Sequence, residues 1–165
     1  MKRIFGDKKV DYEALTPQEI IIKLQLSEEK ILQSQALREQ WIKEKTEEAF
    51  AKARTDTKDA LEALRRKKRL EIEQQYFDGV LQTIPSQKHL LENAESNTDI
   101  LEAIKAAAKT IKLAKIDCDP DDYHDLGENL AEDSQEVNSE IDYSDIKEFD
   151  LIAELVELAK KYVEQ

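Results

Sequence analysis

No glycine or proline lies between Pro17 and Gly79, and the whole chain of 165 residues has only 3 of each. Sheets need turn residues at short intervals, so this stretch excludes a β meander and disfavours an α/β layer. What remains is a long-helix protein, all-α throughout. Thr16-Pro17-Gln18-Glu19 reads as a helix start: Thr16 caps, Pro17 suits the first helical position and Glu19 reaches back as a capping-box carboxylate. A helix running on to about Arg54 is about 58 Å long at 1.5 Å per residue.

At 100° per residue, Ile20, Ile21, Leu24, Ile31, Leu32, Ile42, Ala49, Phe50 and Ala53 share a stripe about 120° wide. Glu28, Gln35 and Thr46 interrupt it, so the stripe reads as the thin seam of a helix pair. Thr55-Asp56-Thr57 is the predicted hairpin tip. A second helix follows from Lys58 through Leu64 and Leu70 toward Phe77 and Leu81. Pro85 predicts a kink or break near Leu81–Ile84, because it lacks the amide hydrogen and clashes with the preceding turn. A third helix is then expected over about 86–115, with Leu90, Ala94, Leu101, Ile104, Ala108 and Ile111 on one face. Asp119-Pro120 opens a short acidic helix, and the last helix, from about Ser144 to Val163, aligns Leu151, Ile152, Leu155 and Leu158. The expected division is a flexible or amphipathic segment over 1–15, a long helical hairpin core over 16–116, an acidic helix and linker over 117–147, and a partner-binding helix over 148–165.

Charge divides the chain sharply. Lys and Arg number 25 against 37 Asp and Glu, a net charge of −12. Residues 1–116 carry 22 basic and 20 acidic side chains, whereas residues 117–165 carry 3 and 17. The overall sign disfavours a nucleic-acid partner, whose affinity rests on displaced counterions. It suits a near-neutral helical body with an acidic tail that folds back on it or recruits partners. Cys118 is alone, which excludes an internal disulfide and a cysteine zinc site. No apolar run approaches the roughly 20 residues of a membrane span, and the first residues have no signal-peptide core. A soluble intracellular protein is expected.

Arg54, Lys58, Arg65 and Arg69 fall within about 60° of one another on an ideal helix, with Arg66 and Lys68 flanking. An anionic membrane attracts each nearby cation by about 1 kcal/mol, so such a strip matters as a set. The same strip also fits contact with the acidic tail, a solvated face or a nuclear localisation signal. Lys2-Arg3-Ile4-Phe5, followed by Lys8 and Lys9, is either a minimal amphipathic anchor or an ordinary solvated terminus. Trp41, Leu26 and Leu37 lie opposite the main seam and call for a second partner surface, either a later helix or another copy. Asp117, Asp119, Asp121, Asp125 and Glu128 match oxygen-ligand positions of an EF-hand loop, but Asp122 stands where the loop requires Gly. Capping explains those acids, and no metal or other cofactor is expected. His89 and His124 are isolated and no catalytic motif is present, so no enzyme is expected.

Four strings occur in order: Ala60-Leu-Glu-Ala-Leu-Arg-Arg-Lys-Lys-Arg69, Asp78-Gly79-Val-Leu-Gln-Thr-Ile84, Leu91-Glu-Asn-Ala-Glu-Ser-Asn-Thr98 and Ala106-Ala-Ala-Lys-Thr-Ile-Lys112. Together they resemble the ESCRT-III family of charged multivesicular body proteins, type 4 branch, over about 16–165. The resemblance implies a hairpin that switches from a closed monomer to an open subunit. The open form polymerises with other ESCRT-III subunits on the cytosolic face of endosomal membranes. By position it assigns the anionic-membrane face to Arg54, Lys58, Arg65, Arg66 and Arg69, and an N-terminal anchor to Ile4 and Phe5. It also implies that the C-terminal helix, through Leu151, Ile152, Leu155 and Leu158, binds the MIT domain of an AAA ATPase or a Bro-domain scaffold, although Glu154 stands where the common motif has Arg. Lateral stacking through Leu26, Leu37 and Trp41 completes the expected mechanism. The rival expectation is a soluble coiled-coil adaptor that bridges proteins without assembling on a bilayer.

Overall fold

The computed structural model describes residues 11–116 and 141–164; the expected N-terminal anchor, acid cluster and short acidic helix lie outside them. The described residues are helical apart from short connections, with no strand among them. A single 3₁₀ turn over Tyr12–Ala14 precedes α1 (Pro17–Lys52), α2 (Thr57–Asn93), α3 (Asn97–Ile116) and α4 (Glu148–Glu164). The expected all-α class is the one observed.

The N-terminal cap of α1 is the one the sequence predicts. The Thr16 amide donates to Glu19 Oε1 at 3.0 Å, and the Glu19 amide donates to Thr16 Oγ1 at 3.2 Å. Hydrogen bonds from Thr16, its backbone amide first, hold the Glu19 carboxyl below the usual carboxylate range. At the tip, the Asp59 amide donates to Asp56 Oδ1 at 3.1 Å and starts α2.

The chain packs as two compact units, with α1 and α2 each contributing to both. In the first unit, which holds residues up to Lys30 and Val80–Lys115, Ile20 and Leu24 of α1 meet Ile84 and Leu91 of α2 and Ala103, Ile104, Ala107 and Ile111 of α3. Lys30 Nζ donates to the Lys115 carbonyl at 3.4 Å, a cation placed at the negative end of α3. Here the structure corrects the sequence reading. Helix α2 runs through Pro85, and the break falls at Ala94–Ser96. Pro85 withholds one amide hydrogen from the ladder, while Ile84 beside it is fully buried in the core, and packing outweighs the lost bond. The break has its own cap: the Asp99 amide donates to Ser96 Oγ at 3.1 Å. Because helical phase restarts there, Leu90 and Leu101 are exposed rather than sharing the buried face of Ile104 and Ile111.

The second unit holds Ile31–Gly79 and the described residues from Ile116 onward. Within it α1 and α2 form a helical hairpin. Ala49, Ala53, Ala60, Ala63 and Leu64 make the core at its tip. Leu32, expected on the seam, is exposed, and Arg38 is buried instead, at 2% exposure. Arg38 Nε donates to Gln35 Oε1 at 3.2 Å and to Gln74 Oε1 at 3.1 Å, and its guanidinium lies 4.8 Å over the Phe77 ring. Gln35 and Gln74 also clasp each other's backbone: each side-chain amide donates to the other's carbonyl, at 3.0 and 3.1 Å. This polar layer fixes which residue of α1 faces which residue of α2, because a slip of one turn would strand a buried cation.

Arg38→Ala should lower stability by about 2–4 kcal/mol in urea unfolding, since it opens a void and leaves two glutamines short of partners. Leu37→Ala, one residue away and exposed, should stay within about 0.5 kcal/mol. Pro85→Ala should raise stability, by up to about 3 kcal/mol, because it restores the missing helical hydrogen bond. A loss of stability in Pro85→Ala would contradict the continuous α2.

Candidate functional site on the basic helix

Five consecutive cations, Arg65 to Arg69, point around α2 rather than to one side. The structure sorts them by what they touch. Arg66 is exposed. Arg65 pairs with Glu62 on its own helix at 3.1 Å and with Glu148 at the first turn of α4. Lys67 pairs with Glu154 of α4. Arg69 Nε lies 3.6 Å from Glu73 Oε2, and its guanidinium lies 4.4 Å over the ring of Tyr143. Lys58 is exposed near the start of α2. Arg54 is not on α2 at all: α1 ends at Lys52 and α2 starts at Thr57, so Arg54 sits in the connecting turn. The helical register that placed it beside Lys58 does not extend across that turn.

The group that meets these cations is residues 141–158, the end of the acidic region. Ile141 is buried, and Tyr143 Oη donates to Glu73 Oε2 at 2.7 Å. Burial raises the Tyr143 pKa, and the bond to Glu73 pushes in the same direction. The Ser144 amide donates to Asp142 Oδ1 at 2.9 Å, and hydrogen bonds from Ser144, its side chain first, hold the Asp142 carboxyl below its usual range. Helix α4 then lays Leu151, Leu155 and Leu158 on the core made by Ala49, Ala53, Ala60, Ala63 and Leu64. Three of the four residues expected to bind a partner are therefore buried within the chain. Ile152 points away and is exposed.

The residues expected to support self-association are also divided. Leu26, in the first unit, is 60% exposed, whereas in the second unit Leu37 is 47% exposed and Trp41 is half-buried. Tyr143, Glu73, Lys67 and Glu154 escaped the sequence reading as a contact set. Their only trace was charge: a basic run far upstream of a segment rich in acids. Among the described residues no cluster of His, Cys, Asp or Glu is placed to hold a metal, and no helix is long and apolar enough to cross a membrane.

The Snf7 family model matches residues 19–162. The chain is 34% identical over 168 residues to charged multivesicular body protein 4a of Bos taurus, covering 96% of this chain and 75% of the relative. It is 33% identical to the 4a protein of Homo sapiens, over 99% of this chain and 77% of the relative. To charged multivesicular body protein 4 of Drosophila melanogaster it is 38% identical, over 84% of this chain and 60% of the relative. No solved structure gives a significant match. A helical chain with this ordered set of strings, matched over nearly its whole length, belongs to the Snf7 family of ESCRT-III subunits, which act in multivesicular body sorting and membrane remodelling.

Proposed function

We propose that the protein is held in a closed form by its own acidic C-terminal segment, and that an anionic membrane competes for the same cations. The observation that carries this reading is the triple contact of Arg65, Lys67 and Arg69 with Glu148, Glu154 and Tyr143. In this account Lys58, Arg65, Arg66 and Arg69 face lipid headgroups in the assembled state, with Arg54 added from the turn. Lys2, Arg3, Ile4, Phe5, Lys8 and Lys9 would add a second anchor. The chain works by assembly rather than catalysis, as a peripheral protein on the cytosolic face of the endosomal membrane. Other ESCRT-III subunits are its polymer partners, with Leu26, Leu37 and Trp41 buried between copies. Helix α4 recruits an MIT-domain AAA ATPase or a Bro-domain scaffold.

Magnitudes favour a displaceable tail. Burying three leucines is worth roughly 5–9 kcal/mol before ordering costs. Exposed ion pairs such as Arg65–Glu148 add at most about 1 kcal/mol each. A surface offering about 1 kcal/mol per cation competes with those rim pairs on equal terms.

Sedimentation with vesicles containing phosphatidylserine should pellet a chain lacking 117–165 several-fold better than the full chain. Equal pelleting would contradict inhibition by the tail. Lys58→Glu, Arg65→Glu and Arg69→Glu together should abolish pelleting, and intact binding would remove the basic face from the account. Electron microscopy of the same mixtures should show filaments or spirals; discrete particles at every concentration would favour a soluble adaptor.

Tyr143 is the most specific contact in the strap. Tyr143→Ala should speed amide exchange in α4 by about tenfold or more, since it removes a hydrogen bond to a carboxylate and a cation–π contact. Tyr143→Phe should show a smaller effect. The phenol's raised pKa means that its contribution is complete below its unfolded value, about 10, and is lost as pH rises beyond that. Exchange in α4 should therefore be flat from neutral pH to about 9 after correction for intrinsic rates, and quicken in more alkaline solution.

A further inference from the structure

Among the described tyrosines, Tyr12 lies in the 3₁₀ turn, Tyr76 in α2 and Tyr162 in α4, whereas Tyr143 sits in the irregular strap that leads into α4. Its ring is half-buried, while Asp142, Ser144 and Asp145 beside it are exposed. The strap thus carries a phenol between two carboxylates on a stretch outside any helical ladder. The Oη atom donates to Glu73 Oε2 at 2.7 Å, and the Glu73 side chain is only 13% exposed. A contact of that length leaves no room for a further group between the two oxygens. The cation beside them is Arg69, whose guanidinium lies 4.4 Å over the ring and whose Nε lies 3.6 Å from the same Glu73 oxygen. Exposed Arg66 stands about two turns before Glu73 on α2. Burial and Glu73 together outweigh Arg69 at the phenol oxygen, which is why its pKa is raised.

We propose that Tyr143 is a phosphorylation site, that its kinase reads the flanking acids through a cationic peptide cleft, and that the modified strap no longer seats against Glu73. The step is phosphoryl transfer from a nucleoside triphosphate. The bond between the γ-phosphorus and its bridging oxygen breaks, and a bond from that phosphorus to Tyr143 Oη forms. The nucleoside diphosphate leaves with the bridging oxygen, and the phenolic proton passes to the kinase's base. The product carries about −1.5 to −2 charge at neutral pH. Against Glu73 it replaces a donated hydrogen bond with repulsion between anions, and it adds a bulky group where the docked contact has no space. Arg69, already turned toward Glu73, offsets part of that charge. Because Oη is occupied in the docked strap, the kinase reacts with a strap that has lifted, and the phosphate converts a brief opening into a lasting one. This inference rests on the reading that the C-terminal segment closes the chain, and it names a covalent signal that holds the chain open.

The test labels the full chain with ATP, magnesium and a purified tyrosine kinase that prefers acidic peptides, and places the label by peptide mass spectrometry. Tyr143 should take phosphate about tenfold or more faster than Tyr76, and Tyr143→Phe should lose that label alone. A homogeneous chain with phosphotyrosine installed at position 143 during translation is then compared with the unmodified chain by amide exchange. The expected result is exchange about tenfold or more faster over residues 141–151, reversed by a phosphatase. Label on Tyr143 no faster than on Tyr76 would overturn the site. Unchanged or slower exchange in the phosphorylated chain, the outcome if Arg66 and Arg69 clamp the phosphate in place, would overturn the release of the strap and leave the closed form standing. An unmodified chain that already exchanges over residues 148–158 as fast as the triple variant Leu151→Ala, Leu155→Ala and Leu158→Ala would overturn the closed form and this inference together.

Discussion

Arg65, Lys67 and Arg69 each reach a group on the C-terminal segment, and two of them, Arg65 and Arg69, belong to the face proposed to meet an anionic membrane. A cation cannot hold two anions in the same direction at full strength. In the proposed mechanism the closed and membrane-bound forms are alternatives because both draw on Arg65 and Arg69, without any need for signals passed through the core. Other contacts of the second unit hold those cations in place. The Gln35–Arg38–Gln74 layer fixes the register of the hairpin, the register sets where Arg65 and Arg69 emerge, and Tyr143 seats the returning strap between Arg69 and Glu73.

Apolar contact and charge divide the work unequally. The three leucines of α4 supply most of the docking free energy, and their small partners, alanines at positions 49, 53, 60 and 63, let the helix approach closely. Ion pairs at the rim add little each, yet they choose the orientation and are the part that solvent ions and headgroups can exchange. Loss of the rim contacts would leave an apolar seam that other subunits or the hairpin itself must compete for.

Much of the fold was legible because its cues are local. The Thr16–Glu19 capping box, the tip at Thr55–Thr57 and the leucine spacing of the last helix depend on neighbours within a turn. Pro85 misled because a local rule met tertiary packing: the buried residue beside it, Ile84, keeps α2 intact. The better cue was Ser96-x-x-Asp99, a capping pattern whose serine oxygen does accept the amide of Asp99. The site was less legible. Which acids face which cations depends on how a chain segment returns over some 80 residues, and charge counts carry no register. Ile152 shows the limit of spacing: it neighbours Leu151 in sequence but lies 100° from it around the helix, enough to leave the docked face.

The central claim is that α4 leaves the hairpin when the basic face meets an anionic bilayer. Spin labels at Glu47→Cys on α1 and Glu157→Cys on α4, in a Cys118→Ser background, report that separation by pulsed dipolar spectroscopy. The account predicts one short, narrow distance in solution and on zwitterionic vesicles, shifting to longer, broader distances on vesicles rich in phosphatidylserine. An unchanged short distance in chains that are demonstrably bound to the anionic vesicles would contradict it.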